Sequence, residues 1–117
     1  MVIRISKIMR VFNTPFHESP NRRIPTPIKR VVLRKYNYKC AGNLPNVYCD
    51  YSVVDALEID HILPRSIRCL NRICNLQVLC SNCHTLKTKY YDTPLIHLYK
   101  QGFLKRKHVR EHLHLFL

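Results

Sequence analysis

Apolar positions along the chain change their spacing from one segment to the next. Ile28, Val31, Val32 and Tyr36 recur at helical intervals with Lys29, Arg30, Arg34 and Lys35 between them, which predicts an amphipathic helix over about residues 26–36. Thr26 is its expected N-cap and Pro27 its first helical residue. Over 56–62 the period falls to two, and Leu57, Ile59 and His61 share one side of a strand. Residues 76–79 read as a second short strand. A helix capped by Ser81 or Asn82 then runs to about Tyr90, with Pro94 as its stop. A last helical stretch covers about 95–117 and is weakest at Gly102.

The remaining segments are irregular. Residues 1–12 alternate briefly at Ile3 and Ile5 and predict an edge strand. Residues 13–27 hold Pro15, Pro20, Pro25 and Pro27 beside Arg22 and Arg23, and predict an extended arm. The stretch from Cys40 to Asp55 is rich in turn residues, among them Gly42, Asn43, Pro45 and Asn46. A basic loop with Arg65, Arg68 and Arg72 separates the two strands.

Composition adds a direction. The 117 residues suffice for one domain and carry a formal charge of +13. Such a surplus calls for an anionic partner, and nucleic acid is the leading one over a membrane surface. No apolar run approaches the ~20 residues of a membrane-spanning helix. Basic residues interrupt the first ten positions too often for a secretory signal, so a reducing compartment is expected. There, six cysteines point to metal before disulfides.

Cys80-Ser81-Asn82-Cys83 has the spacing of a zinc knuckle. Cys40 and Cys49 are the expected further ligands, with Cys69 and Cys74 as alternatives. The same knuckle followed by His84 matches a haem-attachment pattern, which requires export and is set aside. His108-Val109-Arg110-Glu111-His112 fits an inverted zinc-protease pattern, but it reads more simply as the solvated flank of an amphipathic helix. A third constellation is Asp60-His61, then Asn75, then His84, a carboxylate and imidazoles able to meet around a divalent cation. Neighbouring strand residues face opposite ways, so Asp60 and His61 can serve one substrate only where the strand ends or bends.

Residues 57–66 (Leu-Glu-Ile-Asp-His-Ile-Leu-Pro-Arg-Ser), 75–84 (Asn-Leu-Gln-Val-Leu-Cys-Ser-Asn-Cys-His) and Lys87-Thr88 together resemble an HNH endonuclease of the ββα-metal class, also called the His-Me finger. The segment 34–40 is similar to that family's entry into the zinc knuckle. The resemblance implies a small α+β fold, a β-hairpin followed by a helix, with a zinc knuckle and flanking helices. It implies His61 as general base, Asp60 and His84 as ligands of a catalytic Mg²⁺ (or Mn²⁺), and Asn75 orienting His61 or fastening the loop. Cys40, Cys49, Cys80 and Cys83 would hold a structural Zn²⁺. In two respects the chain departs from the family: eight residues rather than two lie between Cys40 and Cys49, and Ile67-Arg68-Cys69 stands where Gly-Gly is common.

The resulting expectation is a metal-dependent endonuclease hydrolysing double-stranded DNA to 5′-phosphate and 3′-hydroxyl ends. Arg65, Arg68, Arg72, Lys87 and Lys89 are the expected phosphate contacts. The alternative is a zinc-stapled nucleic-acid-binding protein that cuts nothing. The domain plan is a basic arm over 1–26, the nuclease domain over 27–92 and a helical extension over 93–117. The protein is expected inside the cell with its genome, whether bacterial, phage or organellar such as plastid.

Overall fold

The computed structural model describes residues 17–20, 23–42, 49 and 56–102. The expected strand over 1–12, most of the turn-rich segment before Asp55 and the His108 to His112 pattern lie outside the described residues.

Helix α1 (Thr26–Lys35) begins one residue earlier than expected. Its cap is Pro25, whose carbonyl accepts the first helical bond from Lys29 N–H at 3.1 Å, so Thr26 is inside the helix and caps nothing. Pro27 remains in the first turn, where its missing N–H costs no bond. The buried stripe is Ile28, Val32 and Tyr36, joined by Leu33, because residues four apart stack on one face. Val31 falls off that stripe and is 44% exposed. Asn37 and Tyr38, both at φ 55°, reverse the chain after α1 and deliver it to Cys40.

Strands β1 (Leu57–His61) and β2 (Leu76–Cys80) form an antiparallel pair, with Leu57 opposite Cys80 and His61 opposite Leu76. Leu57, Ile59, Leu76 and Val78 pack against α1 through Ile24 and Val32. The second face, carrying Glu58, Asp60 and Gln77, turns toward α2 (Ser81–Lys87). With helices on both sides, β2 is buried along its whole length. Strand, loop, strand and helix thus follow in the order of an HNH ββα unit, a small α+β fold.

Two helix boundaries differ from the sequence reading. Cys80, still extended at the end of β2, is the N-cap of α2, and its Sγ accepts from Cys83 N–H at 3.4 Å. Nor does Pro94 end the helix. A π-helical turn (Thr88–Asp92) follows α2 and leads directly into α3 (Thr93–Lys100). The wider turn has Thr93 N–H bonded to Thr88 O, which removes the need for the bond that Pro94 cannot make. Gly102, at φ 78°, closes the described part of the helical stretch.

Candidate functional site

Two polar centres sit on opposite ends of the hairpin. At the first, the four sulfurs of Cys40, Cys49, Cys80 and Cys83 all lie within 4.8 Å of one another. Sulfurs bound tetrahedrally to one zinc at about 2.3 Å are about 3.8 Å apart, and the Cys49 and Cys80 sulfurs are 3.9 Å apart. Tyr36, Ala41, Leu57 and Leu79 pack around the cluster, and Ala41 N–H ties it to β2 through Val78 O at 2.8 Å. Burial pushes the Cys40 and Cys83 thiols up. Cys80 shifts down: despite its own burial, the Cys83 N–H and the neighbouring thiols favour its ionised form. Such a cluster shares its negative charge poorly without a cation, and a divalent ion lets all four sulfurs ionise. The donor set fits structural zinc. Cys69 and the exposed Cys74 stand outside it.

The second centre lines an open cleft of about 1050 Å³ whose walls include Glu58, Asp60, His61, Arg65, His84 and Asp92. Strand β1 ends at His61, which is how residues of opposite strand faces come to border one cleft. Asp60 is only 5% exposed. Its Oδ2 accepts from Gln77 Nε2 at 3.0 Å and pairs with Lys87 Nζ at 3.1 Å, leaving Oδ1 to face His84 Nε2 at 3.4 Å. The other His84 nitrogen, Nδ1, bonds Glu58 Oε2. An ionised carboxylate only accepts, so Nδ1 carries the proton of that bond and Nε2 is the nitrogen that faces Asp60 Oδ1. With a proton on Nε2 the two form an ion pair, and a metal ion between them takes that proton's place. Ligands at about 2.1 Å from one ion are separated by about 3.0–3.5 Å, so the pair fits a small divalent cation.

His61 is 9% exposed, and its Nε2 meets Asn71 Oδ1 at 2.7 Å. Burial pulls its pKa below the ordinary 6.5, against the raising effects of Asn71 and Asp60 and with help from Arg65 and Lys87. The hydrogen bonds of the Asn75 side chain go to the loop and not to His61. Asn75 Oδ1 accepts from Leu63 N–H at 2.8 Å and its Nδ2 donates to Leu70 O at 3.0 Å, so it ties the start of the loop between the strands to the middle of it.

The basic residues divide. Arg65 and Arg72 are exposed, Arg68 is half-buried, and Lys89 is exposed beside the Tyr90 ring, 5.2 Å from its centroid. Lys87 differs from the expectation of a phosphate contact. It is fully buried, with Nζ on Asp60, on Asp92 and on His61 O at 3.0 Å, because α2 turns it onto the carboxylates of the hairpin face. Glu58, Gln77, Asn71 and Asp92 were not singled out from sequence. Only Glu58 carried a local signal, since a period of two places it on the same face as Asp60.

A family profile described as HNH endonuclease matches residues 47–90. That span of the chain is similar to an HNH endonuclease domain. The matched span contains Asp60, His61, Asn75, His84 and Lys87 together with three of the clustered cysteines, while Cys40 lies just upstream of it. HNH domains point to nuclease activity in general. No curated protein and no solved structure matches the chain significantly. Among the described residues no helix is long and apolar enough to cross a membrane.

Proposed function

We propose that this protein is a divalent-metal-dependent endonuclease hydrolysing DNA phosphodiester bonds, with His61 as general base and Asp60 and His84 as ligands of the ion. The observation that carries this reading is the 3.4 Å approach of Asp60 Oδ1 and His84 Nε2 on the wall of the cleft that His61 also lines. Neither the cysteine cluster nor the surplus charge requires that approach, whereas a divalent ion held by a carboxylate and an imidazole uses both. A divalent ion bound there supplies positive charge to the phosphoryl group and the leaving oxygen. His61, kept neutral at pH 7 by burial, accepts the proton of the attacking water. Arg65, Arg68, Arg72 and Lys89 hold the phosphate backbone, and the formal charge of +13 favours duplex DNA as partner. Zinc at the four cysteines is structural. In this reading the nuclease unit spans 27–92, between the basic arm and the helical extension, and works inside the cell with its genome.

A plasmid-cleavage assay tests the proposal. Supercoiled DNA should be cut with Mg²⁺ or Mn²⁺ and left intact with EDTA, and Asp60→Ala and His61→Ala should both stop cutting while zinc and fold persist. DNA binding with no cutting under any divalent ion would leave the alternative, a zinc-stapled binding protein.

A further inference from the structure

We propose that Asn71 is a positioning residue for His61, taking the Nε2 proton of the imidazole so that Nδ1 is the nitrogen left to accept a proton. The inference rests on the reading of His61 as general base and adds the group that orients it. Three hydrogen bonds fix the geometry. Asn71 Nδ2 donates to the Arg23 carbonyl at 3.2 Å, and a carbonyl oxygen only accepts. The amide is thereby oriented, and the atom 2.7 Å from His61 Nε2 is its oxygen. An amide oxygen also only accepts, so the shared proton is on Nε2. The Asn71 backbone is held in turn, its N–H donating to Ser19 Oγ at 2.9 Å.

Ser19 and Arg23 belong to the proline-interrupted arm, and Ser19 N–H also bonds Cys69 O at 2.6 Å. The arm therefore does more than carry charge. The Ser19 hydroxyl and the Arg23 carbonyl brace the loop residue that grips the imidazole, at a site 7% exposed where water competes weakly for the bond. The two loop asparagines divide the work: Asn75 fastens the path of the loop, and Asn71 sets the ring. A general base needs both its nitrogen and its direction fixed, and a displacement of about 1 Å in such a group costs about 10²-fold in rate.

Long-range ¹H–¹⁵N correlation spectra of the zinc-loaded full chain read the ring directly. Above its titration, His61 should show a protonated Nε2 and a bare Nδ1. Asn71→Leu should keep zinc, DNA affinity and KM but lose that pattern and about 10²-fold in kcat. Asn71→Asp retains the acceptor for Nε2 although it loses the donor to Arg23, and it should restore the ¹⁵N pattern and part of kcat, which a purely structural role for the amide does not predict. A wild-type His61 protonated on Nδ1 overturns the proposal, even if Asn71→Leu fails to fold. So does an Asn71→Leu protein with unchanged ¹⁵N pattern and kcat while His61→Ala is inactive. A His61→Ala protein that cuts normally instead overturns the underlying assignment of the base.

Discussion

Glu58 holds His84 by its Nδ1 and so turns the Nε2 of that ring toward Asp60 Oδ1, 3.4 Å away. This is a carboxylate–histidine pair of the kind that fixes tautomer and ring direction at a metal. Glu58→Ala should therefore weaken Mn²⁺ binding by about 10–100-fold, the usual range for such an outer partner, while the zinc cluster and the fold stay intact. Electron paramagnetic resonance titration of free Mn²⁺ measures this without any cleavage. Unchanged Mn²⁺ affinity in Glu58→Ala would remove His84 from the ion's ligand set or Glu58 from its support.

Lys87 is a buried cation between two carboxylates, Asp60 and Asp92. Burial pushes Asp92 up to about 6, and the ammonium of Lys87 pulls the other way. Lys87→Met should destabilise the fold by about 3–5 kcal/mol, because it leaves buried carboxylates without their counter-charge. Adding Asp92→Asn should recover part of that loss. Urea unfolding curves of the two variants give the comparison, and equal midpoints for Lys87→Met and wild type would mean that the ammonium contributes nothing to folding.

The hairpin, its loop and the helix after it were legible because each obeys a local rule: period two at Leu57 and Ile59, basic turn residues after Pro64, and a knuckle spacing at Cys80 and Cys83. The partners of those residues were not. Asn71 reaches His61 across ten positions and Arg23 across 48, and no local periodicity encodes either bond. Lys87 was misplaced for a similar reason. A lysine in a basic chain is ordinarily solvated, and only the tertiary approach of Asp60 and Asp92 makes its burial affordable. At Pro94 the local rule itself misled, because a π-helical turn gives the chain a way past proline that helix-stop signals do not anticipate.

The zinc cluster should govern folding outright. Cys40 and Cys49 come from before β1 and Cys80 and Cys83 from the end of β2, so the ion joins segments that a small core holds weakly. Chelation should unfold the chain, as followed by circular dichroism with metal analysis. Cys49→Ser should lose zinc, whereas Cys69→Ser and Cys74→Ser should keep about one ion per chain. Zinc retained by Cys49→Ser would assign the fourth ligand elsewhere.

The pH dependence of cutting follows from the environment of His61. Burial lowers its pKa from 6.5, and Arg65 and Lys87 lower it further against Asn71 and Asp60. Only the neutral ring can accept a proton, so the single-turnover rate should be level near pH 7 and fall about tenfold per unit on the acid side of the folded pKa. The midpoint should lie below the ordinary value of 6.5. A divalent ion at Asp60 offsets the carboxylate that holds the pKa up, so it moves the midpoint further down. Stability has the same sign. Between the folded and unfolded pKa values the unfolded chain binds more protons, so the contribution of His61 is complete above 6.5 and is lost as pH falls through the folded value. Arg65→Gln removes a positive charge that disfavours the imidazolium, so its acid midpoint should move up, whatever the loss of a phosphate contact does to the level rate. Rates measured at saturating Mg²⁺ in the two proteins decide the matter. An acid midpoint above 7 in the wild type, or one unmoved by Arg65→Gln, would mean that a group other than His61 takes the proton.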